Sequence, residues 1–576
     1  MKIRRSDMRM RLAFGLALAA VPMAAVLAFP TAAGAQEPLV RVSWAGFETT
    51  GAGAKAAGFS LEKLPAGPMF VHLKLKNASA AESAGAVDVR LNGKTVFRGP
   101  VALSPDFWRF ERYEINPGTL KAGDNRLEVA AAERETGAAA SPGFEIGEAF
   151  IADRHFAPQL DLMTDFEVEL PAKVEPLPVP LAGPDSEPRF KIRGTKGWAW
   201  TPEQYLAEVP YLVKARMNFL MNCYTSMFTS VNPFVNRWWE PLPEAKKKGF
   251  EAVVQACQEN DIQFCFAMHP QLFSERPLVL GSAEDFEKLW QHYAWMQGLG
   301  VRWFSVSYDD IGVEGQDKSR LGEAQAELVN KLLGRLREKD PQAQLIFCPV
   351  YYMGCGDAPD AAAYFAGLSR VLASDVFVFW TGDAVVPPRI TMSCASIYKK
   401  AAGHRLVLWD NYPVNDRNPT LHLGPVTGRD KDLPNLIEGY MGNALCPQSD
   451  INRIPLFTEA DFSYNPEAYD PLRSIGQAIA HLAETPARRL ALKHLVELYP
   501  GELLYGESRT GFNPVLERFR LLMSKPETRS LAVRFVGRVE AVEKELGDAF
   551  PGQYESTHET IRGHIAEMKE TLGPEK

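Results

Sequence analysis

Eight apolar runs alternate with amphipathic helical stretches across the middle of this chain, over roughly 300 residues, and few folds accommodate that alternation. The runs are FKIRGTKGW, NFLMNCY, QFCFAMHP, RWFSVSYDD, AQLIFCPVYY, VFVFWTG, RLVLWDNYP and RIPLFTEADF. Between them lie segments of helical period such as TPEQYLAEVPYLVKAR, EAKKKGFEAVVQACQEN and LGEAQAELVNKLLGRLREKD. Continuous apolar runs, as opposed to alternating ones, mark strands buried on both faces, which parallel sheets provide. Eight such strands, each followed by a helix, predict a (β/α)8 TIM barrel over residues 190–485.

At 576 residues the chain is too long for one core, so flanking domains are expected. Residues 36–165 read as short strands of period two (FVHLKLKN, VDVRLNGKTVF, FWRFERYEI, NRLEVAAAE, FEIGEAFIA) broken at Asn-Gly, Pro-Gly and Gly-Asp, the pattern of a jelly-roll-like β-sandwich. Residues 166–189 carry repeated prolines without helical period and form a stiff linker along the surface. Residues 486–576 are Ala/Glu/Leu/Arg-rich with helical period and predict a helical domain.

The first 35 residues show basic positions, the apolar stretch LAFGLALAAVPMAAVLAF and Ala33-Gly34-Ala35. That order is a secretory signal peptide cut after Ala35, which predicts a periplasmic or secreted protein without a membrane span after cleavage; an uncleaved anchor is the alternative. A net charge of −8 argues against nucleic acid as the main partner. The seven cysteines form no CxxC pair and no cluster with His at metal-ligand spacing, so neither a metal nor another cofactor is expected. An odd count leaves at least one thiol without an intrachain partner.

Chemistry in such barrels sits where the strands end. The first run ends near Gly194 and Trp198, the fourth at Asp309-Asp310, the fifth at Tyr351-Tyr352, the sixth at Trp380-Thr381 and the seventh at Trp409-Asp410-Asn411, with Asn415 and Asp416 just beyond. Aromatics, amides and carboxylates on one rim suit a sugar, whose C–H face stacks on rings while its hydroxyls take the polar groups. Two neighbouring carboxylates are crowded like charges, so one is expected to keep its proton and act as general acid. Both reach one pocket if the chain turns at Asp310. Adjacent residues fit poorly on opposite sides of a scissile bond, as an enzymic nucleophile requires, and better the substrate-assisted exception, in which the sugar's own 2-acetamido oxygen attacks. A solvated loop or a metal site is the bland reading of the pair.

SYDDI, FCPVYY, FWTG, WDNYPVND followed by LGP, and NPEAYDP together resemble glycoside hydrolase family 84, the β-N-acetylglucosaminidases that include the protein O-GlcNAc hydrolases, over about residues 190 to 475. The resemblance implies that Asp309 polarises the acetamido group and Asp310 serves as acid and then base. It implies that Tyr352 bonds the acetamido carbonyl and that Trp409 walls the acetamido pocket. Asn411 and Asp416 would bind the ring, with Thr381 and Gly194 at further pocket positions. The implied partner is a glycan or glycoprotein carrying terminal β-linked N-acetylhexosamine, GlcNAc first.

Three departures stand out. The lysine that ends the family's second strand is replaced by Thr225 or Ser226, and its Asn-Pro motif near strand eight reads Cys446-Pro447, so weak reading of the C3/C4 hydroxyls is expected. The N-terminal module also differs from the α/β domain that usually precedes this barrel. GalNAc or a modified GlcNAc, and a non-catalytic glycan-binding barrel, are the alternatives. Elsewhere the expected roles are structural: His269 as a hydrogen-bonded His, Asp410 in a salt bridge or loop cap, Lys246-Lys247-Lys248 on a solvated helix face, and His404 at the wrong end of the barrel.

Overall fold

The computed structural model describes residues 40–573 apart from 43–47, 50–53, 65–68, 78–84, 102–108, 117, 132–143, 154–166, 182–186, 225–226, 229–233, 388, 416–419, 447, 502–512 and 525. The proposed signal peptide lies outside the described residues. At the N-terminus, Val40–Val42, Phe144–Asp153, Met69–Asn77 and Arg109–Ile115 form one antiparallel sheet, with Glu48–Thr49 beside the second of these; Lys55–Leu61, Gly123–Ala131, Gly85–Leu91 and Lys94–Val101 form another. Inward residues such as Val71, Leu73, Val87, Val89, Leu127 and Ile151 fill the space between the sheets. The hairpin in LNGK turns at Asn92 and Gly93, with φ of 52° and 77°, the doubly left-handed two-residue turn that Asn-Gly favours.

The linker has neither helix nor strand over the described residues 167–181. It is tied down along its length: the Val168, Glu175 and Val179 N–H groups donate to Glu497, Gln477 and Asp461.

The centre is a closed eight-stranded parallel barrel. Its strands are β1 Ile192–Gly197, β2 Phe219–Met221, β3 Gln263–Met268, β4 Trp303–Ser307, β5 Gln344–Cys348, β6 Phe377–Trp380, β7 Arg405–Pro413 and β8 Gly439–Ala444. The intervening helices are α1 Pro202–Lys214, α2 Glu244–Glu259, α3 Ala283–Gly298, α4 Lys318–Lys339, α5 Pro359–Val371 and α6 Met392–Ala402. Sequence chemistry sets their starts. At α1, Thr201 and Gln204 cap each other's backbone N–H and Pro202 takes the first helical position, where no donor is needed. Of the three lysines expected on a solvated face, Lys246 is instead buried in α2 and Lys248 is exposed.

The eighth strand departs from the expectation. RIPLFTEADF is helix α7, Arg453–Tyr464, with nearly every residue buried, and β8 is GYMGNA, which starts fourteen residues earlier. A helix buried on all sides has no amphipathic period to betray it, even with Thr458, Glu459, Asp461 and Ser463 inside it, and Pro455 sits in the first turn, where it displaces no hydrogen bond. The strand is glycine-rich because α7 lies against it: a Cβ on Gly442 would stand 1.9 Å from Glu459 Oε2. Helix α8, Pro471–Leu482, completes the barrel. Helices α9 Pro486–Leu498, α10 Pro514–Met523, α11 Arg529–Ala549 and α12 Glu555–Leu572 follow, and their core continues into Leu421, Leu423, Leu445 and Ile451 of the loops after β7 and β8.

Candidate active site

Strand β4 ends at Ser307, and buried Tyr308 extends its pairing by donating its N–H to the Cys348 carbonyl. Asp309 follows, buried, and then Asp310, exposed and with φ of 56°. That left-handed conformation, which Asp tolerates better than most residues, turns the chain between the two carboxylates and gives them different surroundings.

Asp309 is gripped from two sides. Tyr224, just beyond β2, donates its hydroxyl to Asp309 Oδ2. His269, just beyond β3, places Nε2 2.8 Å from the Asp309 carbonyl and 3.6 Å from Oδ1. The N–H groups of Gln271 and Leu272 both point at His269 Nδ1, which therefore accepts and leaves the proton on Nε2. Burial holds the ring below its ordinary pKa, so it stays neutral, a hydrogen-bonded His positioning Asp309. Asp309 Oδ1 takes no hydrogen bond of ordinary strength among the described residues. Beside it stands the buried thiol of Cys348, a weak donor kept protonated by burial. That oxygen is the one a ligand N–H would take.

Asp310 receives a hydrogen bond from the Tyr352 hydroxyl at 2.6 Å. Burial first, and the neighbouring carboxylate second, push the phenols of Tyr352 and Tyr224 far above their ordinary range, so both remain donors. The resemblance implies that Tyr352 bonds a substrate carbonyl; in the structure its hydroxyl donates to Asp310.

Trp409, in β7, meets Phe379 edge to face at 5.3 Å, and its indole N–H is buried without a partner among the described residues. Over its ring, 3.5 Å from the centroid, stands the ammonium of Lys196 from β1, which is also 4.9 Å from the Tyr224 ring centroid. Lys196 is 3% exposed and forms no salt bridge among the described residues. Asn411 donates to the Val385 carbonyl and accepts from Asn443 Nδ2 at 2.8 Å. Thr381 gives its hydroxyl to the Ala384 carbonyl, and its N–H bonds the Tyr352 carbonyl.

Asp309, Asp310, Tyr352, Thr381, Trp409 and Asn411 thus share the C-terminal end of the barrel. Gly194 does not reach that end. It lies mid-strand, opposite Phe219 and Met441, and β1 runs on to Gly197; a Cβ there would stand 1.8 Å from the Phe219 carbonyl, so glycine is what lets β2 close in. Thr225, Ser226 and Asp416 lie outside the described residues. Cys446 lies past the end of β8, half-buried, donating its N–H to Asn415 Oδ1, while the amide at the strand end is Asn443. An asparagine thus does stand at the end of the eighth strand, Asn443, beside Asn411. Lys196 is legible once burial is known, since a lysine inside a fully buried strand has a special reason to be there. Asp410, as expected, is spent on structure, paired through both oxygens with Arg429 and bonded by Tyr440.

Two solved structures share this fold. A mutant of the O-GlcNAc hydrolase of Thermobaculum terrenum matches with a TM-score of 0.52 at 23% identity, over 67% of this chain and 82% of that one. CpGH84B matches with a TM-score of 0.51 at 20% identity, over 86% of this chain and 77% of that one. Residues 192–497, more than half of the chain, match the family model described as beta-N-acetylglucosaminidase, and the chain belongs to that family as a divergent glycoside hydrolase of family 84.

Proposed function

We propose that this hydrolase removes terminal β-linked N-acetylhexosamine, GlcNAc first, from a glycan or glycoprotein by substrate-assisted catalysis. The observation that carries the reading is the unequal surroundings of Asp309 and Asp310. Asp309, buried and fixed by Tyr224 and His269, keeps Oδ1 for the acetamido N–H. An acetamido group so held aims its carbonyl oxygen at the anomeric carbon; the C–O bond to the leaving group breaks as the oxazoline ring closes. Asp310, exposed and held by Tyr352, gives its proton to the departing oxygen and then takes one from the water that opens the oxazoline with net retention.

Aryl glycosides whose acetamido methyl is progressively fluorinated test this. A less basic carbonyl is a worse nucleophile, so kcat/KM is expected to fall steadily with fluorine count. A flat series would mean that an enzymic group attacks instead.

Export belongs to the same proposal. The Cys355–Cys394 disulfide, which ties the loop after β5 to helix α6, supports an oxidising compartment. Among the described residues no helix is long and apolar enough to cross a membrane. Mass spectrometry of the exported protein is expected to find Gln36 at its start.

A further inference from the structure

Tyr352, whose hydroxyl donates to Asp310, stands on a loop without regular structure of its own. Between the end of β5 at Cys348 and the start of α5 at Pro359 the chain reads PVYYMGCGDA, with neither helix nor strand. Gly354 and Gly356 flank Cys355 at φ of 81° and 78°. Glycine enters that left-handed region without steric cost, and it also leaves a loop more conformations to explore than any other residue does. The direction of the Tyr352 hydroxyl therefore depends on what holds this loop in place.

Two kinds of tie hold it. The Thr381 N–H donates to the Tyr352 carbonyl at 3.0 Å, the Trp380 indole N–H to the Gly354 carbonyl at 2.9 Å, and the Gly354 N–H to the Gly382 carbonyl at 2.8 Å. Tyr398 of α6 stacks on Trp380 and donates its hydroxyl to the Tyr351 carbonyl at 2.9 Å. These hydrogen bonds fasten the loop as far as Gly354. At Cys355 the tie becomes covalent: the disulfide to Cys394 reaches the first turn of α6, where the Thr391 hydroxyl accepts from the Cys394 N–H at 3.2 Å. Cys394 and Tyr398 are four residues apart, so one face of α6 supplies both the disulfide and the hydroxyl that meet the loop. The disulfide stands three residues from Tyr352.

We propose that the Cys355–Cys394 disulfide is a positioning device for Tyr352 and, through it, for Asp310, so that breaking it impairs proton donation more than it impairs binding. The proposal rests on the hydrolase reading above, in which Asp310 is the acid, and deepens it. Proton transfer in the transition state depends on the acid's distance and direction, and a loop loosened beside Tyr352 spoils both. A dithiol reductant breaks the S–S bond with two electrons and two protons, leaving two thiols on the protein and closing to a disulfide itself. Cys355 is half-buried, within reach of such a reagent.

The full-length oxidised chain, the same chain after a dithiol reductant, and the double variant Cys355→Ser with Cys394→Ser are compared on aryl β-GlcNAc glycosides of graded leaving group, below the melting temperature of each. For the reduced chain and the double variant alike, kcat/KM is expected to fall by about five- to tenfold on the poorest leaving groups and by less than about twofold on activated ones. The reductant is expected to leave the double variant unchanged. Tyr352→Phe should steepen the leaving-group dependence in the same way and add little in the double-serine background, because both changes act through one hydrogen bond. No loss, losses equal across the series, or losses of Tyr352→Phe and the serines that simply add would overturn the positioning role. A wild-type chain inert towards the whole series, or an Asp310→Asn variant without leaving-group dependence, would instead sink the hydrolase reading itself.

Discussion

Asp309 and Asp310 are chemically identical neighbours, and what separates them is one backbone angle and the groups packed around each. Asp310→Asn is expected to depress turnover by about two to four orders of magnitude for poor leaving groups and far less for activated aryl glycosides, which need little protonation. Asp309→Asn is expected to be severe on both, because it impairs ring closure itself. A leaving-group series on the two variants checks this, and parallel slopes would remove Asp310 from the acid role. Lys196 supports a separate expectation. Its ammonium rests on aromatic faces without a salt bridge among the described residues, leaving N–H donors for a ligand oxygen. Lys196→Met keeps the bulk and removes the charge, so kcat/KM should fall by roughly ten- to hundredfold, the worth of a charged hydrogen bond of about 1.5–3 kcal/mol, with little change in melting temperature. Unchanged kinetics would make Lys196 a filler. The acid pair was readable in the chain because its position at a strand end carries the meaning. The lysine is harder to see, because within RGTKG only burial on both faces of the strand, which the sequence does not display, makes its charge unusual.

Among the elements, seven of the eight barrel strands stand out in the sequence, most of them because burial on both faces writes a nearly unbroken apolar run, and IRGTKG of β1 in spite of the Arg193 and Lys196 inside it. The eighth does not, because GYMGNA gives up side chains to let α7 approach, and α7 in turn reads like a strand. Packing between two elements, which no single stretch of sequence displays, settled which was which. The same neighbourhood contains the most demanding polar contact of the barrel. Asp410 and Arg429 are essentially inaccessible and joined at 2.6 and 2.8 Å, and Tyr440 from β8 donates to the same carboxylate at 2.7 Å. Burial and the carboxylate's charge keep that phenol protonated. Removing one partner of such a pair leaves the other charge buried, so Arg429→Met should cost about 3–5 kcal/mol, visible as a lowered urea midpoint. Tyr440→Phe removes one hydrogen bond and should cost less, about 1.5–3 kcal/mol. A neutral Arg429→Met would show that water reaches the carboxylate and that the pair does not pin the loop after β7 to that strand.

Across the whole molecule, both flanking domains lean on loops that carry the candidate site. On one side a buried chain of amides runs from α12 inward: Gln448 bonds Thr560 and Asn415, and Asn415 in turn accepts from the Cys446 N–H. On the other, the loop after β6 receives Thr381 Oγ1 at Ala384 and Asn411 Nδ2 at Val385, then sends Arg389 into the sandwich. There Arg389 pairs with Glu111 at 2.7 Å and lies over the rings of Phe97 and Tyr113, with Asp430 of the barrel 3.7 Å away. The sandwich therefore holds a loop that also accepts hydrogen bonds from Thr381 and Asn411. Glu111→Gln keeps the shape and removes the charge that fixes Arg389. If the clamp positions Thr381 and Asn411, kcat/KM should fall by about tenfold for every leaving group alike, since binding geometry changes and proton donation does not. Glu111→Asp should recover part of the loss. Limited proteolysis supplies the control: a variant whose sandwich is released while kcat/KM stays at the wild-type value would make the N-terminal domain an appendage, and the loop after β6 self-supporting.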